Sequence, residues 1–295
     1  MRREIFTDEH DQFRSEFRRF AEAEIVPHLE QWNQSGCSDR AIWSKMGEAG
    51  FLGANAPEEY GGAGAGFIYD AVVMEELSDL RANAIQMSVH SDICMPYLVQ
   101  YGSDALKKKY LPGAIDGSCV LAIAMTEPTA GSDLANVQTR AIRDGDEYVI
   151  NGSKTFISNG QNCDLVIVVA RTDPEADPPH RGISLILVDG DATGFQRGRN
   201  LKKLGLNGQD TSELFFDDCR VPLENRLGEE GQGFKMMMSQ LQQERLCISV
   251  SSIASSRRSL EDTLEYVKER KAFGKSIAQF QNTQFKLAEL ATEVE

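Results

Sequence analysis

Apolar residues change their periodicity twice along the 295 residues of this chain, and no other feature restricts the fold as strongly. The N-terminal part has helical spacing, the middle part has short apolar runs of strand length, and helical spacing returns from Gly231. No long helix separates the strands, so a compact antiparallel barrel or sandwich fits better than a parallel doubly wound sheet. The pattern predicts an α+β chain with an N-terminal all-α domain (1–117), a β-barrel or sandwich middle domain (118–228) and the start of a C-terminal helical domain (229–295).

Local signals refine the N-terminal part. Thr7 precedes two acidic residues and is predicted to cap the first helix. Ser38 and Ser103, each followed by aspartate, are predicted to cap two further helices. The stretch "GGAGAGF" at 61–67 does not fit G-x-G-x-x-G and follows no strand, so we expect a loop.

Turn and stop signals divide the remainder. Asp144–Gly145 and Asn151–Gly152 flank "DEYVI", and both pairs predict tight turns. A long helix is expected from Gly231 to about Ala272, ending at Gly274. The last apolar stretch has no glycine or proline stop, so we read it as a chain cut inside a helical bundle. A two-helix hairpin that closes the domain stays open as the alternative.

The composition of the chain argues against several classes of function. The net charge of −14 argues against broad binding of nucleic acids or anionic membranes. The six cysteines form no C-x-x-C pair and the four histidines no H-x-x-x-H pair, which favours free thiols in a reducing cytosol over a metal site or disulfides. The densest apolar run, "LVIVVA" at 165–170, has the length of a strand rather than of a membrane span. The N-terminus has no apolar signal core, so we expect a cytoplasmic protein.

One strand ends in the loop "AMTEPTAGSD" at 124–133. Small residues let a ligand approach the backbone N–H groups, and Thr126 and Ser132 offer hydroxyl donors. From the residues alone, a ligand-binding loop and an ordinary turn are both possible.

The amino-acid sequence of this loop resembles the signature of the acyl-CoA dehydrogenases. Similar segments follow in order: "NGSKTFISNG" at 151–160, "GLNGQDTSELFFDDCRVP" at 205–222, "LGEEGQGF" at 227–234, "QQERL" at 242–246 and "ERKAFGKSIAQFQ" at 269–281. "REIFTDEHDQFR" and "HSDICMPYLVQYG" make the chain most similar to the long-chain branch. Thr129 and Asn136 depart from the small residues usual at those positions, and the last helices of the family are absent.

The resemblance implies oxidation of a medium- or long-chain acyl-CoA to its trans-2-enoyl-CoA, as in fatty-acid β-oxidation. The implied cofactor is FAD, because no side chain accepts a hydride reversibly. The implied partners are an electron-transferring flavoprotein and further copies of the chain in a homotetramer or homodimer. An acyl-CoA oxidase and a non-catalytic acyl-CoA-binding fragment are the alternatives. A hydrolase is disfavoured because the chain has no G-x-S-x-G.

The resemblance also implies two sets of binding residues. Those for FAD are Ile123, Ala124, Met125, Thr126, Glu127, Pro128, Thr129, Ala130, Gly131, Ser132, Phe156, Ile157, Ser158 and, from a neighbouring subunit, Arg270 and Gln281. Those for the acyl-CoA are Ser132, His180, Arg181, Lys235, Gln242, Gln243 and Arg245. Simpler roles stay open for some of these residues. Phe156 could be a core residue of a strand, and the residues at 180–181 could belong to a solvated loop. Arg270 could be a cation at the end of a helix.

Glu244 is the candidate catalytic base. At about 100° per residue it shares a helical stripe with Phe234, Met237, Leu241 and Ile248, and the helix is apolar on two faces, which predicts burial between partners. A buried acid serves either as a base of raised pKa or as the partner of a cation, here one from the missing last helices, and periodicity does not distinguish these roles. The resemblance favours the base, since the long-chain and isovaleryl branches place theirs at the Glu of an "ERL" on this helix.

Overall fold

A computed structural model describes residues 3–82 and 84–295. Its longer helices are α1 (Asp8–Glu24), α2 (Leu29–Ser35), α3 (Ala41–Glu48), α4 (Phe67–Asp79), α5 (Met95–Tyr101), α6 (Asp104–Ile115), α7 (Gly233–Glu269) and α8 (Gln281–Val294), with a π-helix at Val89–Cys94. The strands are β1 (Leu121–Ala124), β2 (Arg140–Asp144), β3 (Glu147–Ser158), β4 (Leu165–Arg171), β5 (Ile183–Asp189), β6 (Phe195–Asn200), β7 (Thr211–Pro222), β8 (Arg226–Leu227), β9 (Lys271–Ala272) and β10 (Lys275–Ser276). The predicted order of helices, sheet and helices is confirmed. No helix within the described ranges is long and apolar enough to cross a membrane.

Two of the three predicted helix caps are confirmed. Thr7 precedes α1, and its N–H donates to Nδ1 of His10 at 3.1 Å. Ser103 caps α6, where its hydroxyl accepts from the Leu106 N–H at 3.3 Å. The prediction for Ser38 is wrong: α3 begins at Ala41, and the buried Ser38 hydroxyl instead accepts from the side-chain amide of Asn162 at 3.3 Å. The stretch 61–66 is a loop, as predicted, and leads into α4.

The sheet is curled but not closed, and its strand order is β6-β7-β3-β2-β4-β5-β8, with β1 beside β4. Most pairs are antiparallel, but β1 runs parallel to β4, and β2 meets β4 in a parallel bridge at Arg140 and Arg171. The predicted antiparallel sheet is therefore confirmed for most strand pairs, with these two parallel contacts as exceptions. The long connection at 125–139 carries the chain away from β1 and lets later strands run in the same direction.

Alternate residues of β4 enter two different cores. Leu165, Ile167 and Val169 pack with residues of α5 and α6, whereas Val166 and Val168 pack with side chains of β3 and β7. The central strands are covered on both faces, which explains their continuous apolar runs. The helices α1, α3 and α4 form a third core.

Only one of the two predicted tight turns is present. Asp144–Gly145 joins β2 to β3, and Gly145 has φ 62°. Asn151–Gly152 lies inside β3, at a register shift against β7, so that prediction is wrong. Gly152 has φ 152°, and a Cβ at this position would lie 2.5 Å from Oγ1 of Thr139. Glycine is therefore needed here for a close contact with Thr139 and not for a turn of the chain.

His90 joins the helical part to the sheet. Its ring is fully buried, with Nε2 2.9 Å from the Ala114 carbonyl at the end of α6, and Nδ1 accepts from the Leu121 N–H of β1 at 3.0 Å. Burial lowers the pKa of His90 to about 4, so the ring is neutral at physiological pH. Its Nε2–H therefore donates to Ala114, and one side chain fixes a helix end to a strand start.

The helix α7 has 37 residues, or about 55 Å of length. It ends at Glu269 rather than near Ala272, because a β9–β10 hairpin around Gly274 follows it directly. Leu246, Ile248 and Ile253 of α7 are 47%, 61% and 48% exposed in this chain, so the expected burial of the helix between partners stays a prediction.

Candidate active site

Glu244 meets Tyr97 where α7 crosses α5. The Tyr97 hydroxyl donates to Oε1 of Glu244 at 2.9 Å, and the Tyr97 side chain is fully buried. Glu244 is half-buried, and this burial raises its pKa, while the hydrogen bond from Tyr97 acts in the opposite direction. No cation of the described ranges pairs with Glu244, and the alternative role, as the partner of a cation from the last helices of the family, stays open. A half-buried carboxylate of raised pKa that keeps one hydrogen-bond donor is suited to accept a proton.

The neighbours of Glu244 on α7 divide into fixed and free side chains. Gln243 donates from Nε2 to the Asp92 carbonyl of the π-helix at 2.9 Å, so its amide already holds α7 in place. Gln242 and Arg245 are exposed. Sequence patterns did not identify Tyr97 as a site residue, because nothing in "MPYLVQY" sets it apart from a core tyrosine.

The loop after β1 is a tight turn whose tip faces outward. Glu127 and Ala130 exchange backbone hydrogen bonds of 2.8 and 3.2 Å. Pro128, Thr129, Gly131 and Ser132 are exposed, whereas Ala124, Glu127 and Ala130 are buried. Thr129 has no left-handed φ, so threonine fits this position without backbone strain. Any ligand contact by the three buried residues would have to use their backbone.

A buried ion pair holds this loop from below. Nζ of Lys154 donates to Oε1 of Glu127 at 2.8 Å and to the carbonyls of Met125 and Val169 at 3.1 and 2.7 Å. Burial lowers the pKa of Lys154 to about 8, while the Lys154 charge and further hydrogen bonds lower the pKa of Glu127 against the effect of burial. Lys154 was not identified from the sequence, although its segment was. The only signal was a lysine in an otherwise strand-like run.

Phe156 stands out in its backbone as well as its exposure. Its φ is 60°, an uncommon region for a bulky residue, and its side chain is 65% exposed. The interpretation of Phe156 as a strand core residue is therefore wrong. Ile157 is buried, and the Ser158 hydroxyl accepts from the Gln209 amide at 2.8 Å.

Several of these elements share one apolar cluster. It contains Tyr97, Ala130 and Met237, with Ile123, Met125 and Phe234 packed against it, so the loop after β1, the start of α7 and the partner of Glu244 are neighbours. His180 lies with its ring centroid 5.1 Å from that of Phe234, and Arg181 and Lys235 are exposed nearby.

Two predicted site residues are remote from this cluster. Arg270 and Gln281 are exposed beyond the far end of α7, about 40 Å along the helix axis from Glu244. Neither can touch a ligand beside Glu244 in the same chain.

A cavity of about 340 Å³ follows the Glu244 stripe along α7. Its walls come from α4 (Val73, Met74, Leu77), from the segment 85–92 and from α7 (Ile248, Ser251, Ser252, Ser255). By helical geometry, Ile248, Ser251 and Ser255 lie within about 40° of Glu244 around α7. Glu244 itself does not line this pocket, but it lies one helical turn, about 6 Å, before Ile248, which does.

The residues around the strand-end loop fit a flavin. The exposed face of Phe156 can cover a planar ring, and a Cβ at Gly131 would meet no atom within 4 Å. Within the described ranges, the hydroxyls of Thr126 and Ser132 have no hydrogen-bond partner, so both can bind a ligand. A flavin edge, with its alternating donors and acceptors, matches such hydroxyl and backbone groups.

Three consecutive sequence families match this chain. They are described as the acyl-CoA dehydrogenase N-terminal domain (residues 7–118), middle domain (122–219) and C-terminal domain (231–295). The chain belongs to the acyl-CoA dehydrogenase family of flavin-dependent oxidoreductases.

Individual relatives make the resemblance more specific. The long-chain specific acyl-CoA dehydrogenase of Sus scrofa is 48% identical over 99% of this chain and 68% of its own length. The crystal structure of an acyl-CoA dehydrogenase from Geobacillus kaustophilus has a TM-score of 0.97 at 49% identity, covering 99% of this chain and 77% of that one. A structure described as the electron transferring flavoprotein of Acidaminococcus fermentans has a TM-score of 0.92 at 36% identity, covering 99% and 77%.

Proposed function

We propose that this protein uses FAD to dehydrogenate medium- or long-chain acyl-CoA thioesters to trans-2-enoyl-CoA, with Glu244 as the base. The observation that carries the proposal is the half-buried Glu244, whose raised pKa and single donor place a proton acceptor beside an apolar cavity. Such a carboxylate is a stronger base than an exposed one toward the α proton of a thioester.

Around the loop after β1, the residues at 123–132 and 156–158 would hold the flavin. The Thr126 and Ser158 hydroxyls would bond the ring edge, and Phe156 would cover one face. FAD supplies the acceptor for the hydride that leaves the β carbon. The Lys154–Glu127 pair keeps the loop in shape for this contact.

Glu244 would remove the α proton with its oxygen that is free of Tyr97. Tyr97 then holds the other oxygen and fixes the orientation of the carboxyl group. The Tyr97 pKa is raised by burial and by Glu244, so its hydroxyl stays protonated and remains a donor throughout.

The CoA part would lie across the start of α7. His180, Arg181 and Lys235 lie around this helix end, whose backbone N–H groups also favour anions. Ser132 would contact the same part of the substrate, while Gln242 and Arg245 are free to contact it further along the helix.

The acyl chain would run along the Glu244 stripe. On α7 the lining runs from Ile248 to Ser255, seven residues apart, so the cavity extends about 10 Å along the helix axis. This length favours medium or long chains over butyryl-CoA.

The remaining parts of the proposal concern partners. The exposed Arg270 and Gln281 would bind FAD of a neighbouring subunit in a homodimer or homotetramer. An electron-transferring flavoprotein would reoxidise the cofactor, and the cytoplasm is the proposed location. The domain limits at 117/118 and 228/229 also stay predictions.

The test is anaerobic flavin reduction by palmitoyl-CoA, followed by the loss of flavin absorbance. Glu244→Gln should retain FAD and bind acyl-CoA but reduce the flavin slower by several orders of magnitude. Glu269→Gln, an exposed acid on the same helix, is the matched control and should react like wild type. A Glu244→Gln protein that bleaches at the wild-type rate would show that the base lies elsewhere. Faster transfer to oxygen than to an electron-transferring flavoprotein would indicate an oxidase.

A further inference from the structure

The segment that joins β6 to β7 lies against the end of β3. It contains "GLNGQDT" at 205–211, a stretch that has no role in the proposed chemistry. Leu206 lines the cavity beside α7, and its carbonyl accepts from the Gln209 N–H at 3.2 Å. The Gln209 side chain contacts Ser158, the last residue of β3. The segment therefore touches both the cavity and one of the residues proposed to hold the flavin.

Gln209 reaches the hydroxyl of Ser158 from inside the protein. It is only 7% exposed, and its Nε2 donates to Oγ of Ser158 at 2.8 Å. Ser158 is half-buried, and within the described ranges its side chain makes no other hydrogen bond. A hydroxyl oxygen that accepts from an amide still has its own hydrogen to donate. The contact with Gln209 therefore leaves Ser158 as a donor for a ligand.

Other contacts hold the segment itself in place. The N–H of Gly208 donates to Oδ1 of Asn33 at 2.8 Å, and the Asp210 carboxylate accepts from the N–H of Gln161 at 2.6 Å. The strand β7 begins directly after Asp210. Because none of these contacts uses the Gln209 side chain, its amide is not required to fix the course of the backbone. Its contact acts on the orientation of the serine hydroxyl.

A donor at the ring edge acts on the redox properties of a flavin. The edge of the oxidised ring carries acceptor atoms whose electron density rises on reduction, so a hydrogen bond donated to them favours the reduced form. A freely rotating hydroxyl can donate or accept, whereas one that already accepts from a buried amide is left to donate. A donor fixed in this way needs little reorganisation and raises the midpoint potential of the bound cofactor.

We propose that Gln209 is a positioning residue of the flavin site. Its buried amide holds the Ser158 hydroxyl as a donor to the flavin ring edge and thereby raises the midpoint potential of bound FAD. The inference rests on the proposed FAD site and adds a residue that acts through Ser158.

The midpoint potential of the bound FAD, measured by anaerobic reductive titration against a reference dye, tests the inference without any acyl-CoA. Gln209→Met keeps the length and the neutral charge of the side chain but removes the donor. We expect a roughly tenfold weaker preference for reduced over oxidised FAD, which corresponds to a midpoint potential lower by about 30 mV. Ser158→Ala should give a shift of the same size, and the double variant should add nothing to it.

Gln161→Met is the matched control. The amide of Gln161 also donates to a serine hydroxyl, that of the buried Ser212 at 2.9 Å, and neither residue belongs to the proposed flavin site. This variant should lower the melting temperature, as the loss of a similar hydrogen bond requires, but should keep the wild-type potential.

A wild-type potential in Gln209→Met would overturn the inference and leave the amide with a structural role only. An equal shift when Gln209→Met is added to Ser158→Ala would also overturn it, because the amide would then act without the serine. If Gln209→Met does not fold, Gln209→Glu takes its place, since a carboxylate reverses the hydrogen bond with Ser158. It should lower the potential more in wild type than in Ser158→Ala, and equal shifts in both backgrounds would contradict the inference.

The proposed function is judged separately. A wild-type protein that binds no FAD would refute the proposed function and this inference together. A protein that binds FAD but is not bleached by palmitoyl-CoA would refute the dehydrogenase proposal alone, because the potentials of the variants still decide the role of Gln209.

Discussion

Replacing Lys154 with methionine should destabilise the protein by roughly 3–5 kcal/mol. The lysine side chain is fully buried, and its loss removes three hydrogen bonds at once. Glu127 would then be left as a buried carboxylate with only the backbone N–H groups of Gln138 and Thr139, at 2.5 and 2.9 Å. Most of the cost arises from this uncompensated charge rather than from the lost volume, since methionine has nearly the same length.

Urea unfolding at neutral pH, followed by circular dichroism, measures the effect. Arg220→Met is the matched control, because Arg220 pairs with Asp144 at 2.9 Å and Glu147 at 3.1 Å on the surface, where solvent screens such pairs and they contribute little to stability. The double variant Lys154→Met with Glu127→Gln should recover part of the loss, because glutamine removes the uncompensated charge while its carbonyl oxygen still accepts a hydrogen bond from the backbone. A Lys154→Met protein within about 1 kcal/mol of wild type, or a double variant no better than the single one, would refute the reasoning.

Three further substitutions test single features of the site. Tyr97→Phe removes the donor that lowers the Glu244 pKa, so the acidic limb of the pH–rate profile for flavin reduction should move to higher pH, and superimposable profiles would contradict this. Phe156→Gly relieves the strain of a left-handed φ, so it should raise stability by about 1 kcal/mol, which thermal melting measures. The same substitution should weaken FAD retention, which dialysis measures, and unchanged retention would count against a contact between Phe156 and the cofactor. Burial raises the Asp70 pKa from 3.8 to about 7, so in that window the folded state holds more protons than the unfolded state and stability falls as pH rises. Asp70→Asn should therefore gain stability relative to wild type between pH 5 and pH 8. If the melting temperatures of the two proteins change with pH in parallel, the raised pKa of the buried Asp70 is contradicted.

The order and type of the elements could be predicted because they depend on local periodicity. The failures have local causes as well. Asn151–Gly152 has the composition of a turn, but β7 continues to pair alongside it, and the glycine is needed for contact with Thr139. Ser38 precedes an aspartate like a helix cap, yet its hydroxyl binds Asn162 of the sheet. In both cases a distant segment determines the local structure.

The residues of the candidate site also divide into those that the sequence could predict and those that it could not. Glu244 and the loop that follows β1 could be identified because their sequences resemble those of a known family. Tyr97 and Lys154 could not, because each acts through a contact between segments far apart in sequence. The π-helix that presents Asp92 has no pattern by which it can be distinguished from an ordinary helix.

The buried His90 has a consequence for how such proteins can be recombined. Its two ring nitrogens are satisfied by opposite sides of the predicted border near residue 117, one by α6 and one by β1. A chimaera spliced at that border, with helices from one relative and the sheet from another, would keep the histidine but could lose the register of one partner. Segments exchanged between relatives should therefore include the π-helix, α6 and β1 together, because His90 links these three elements.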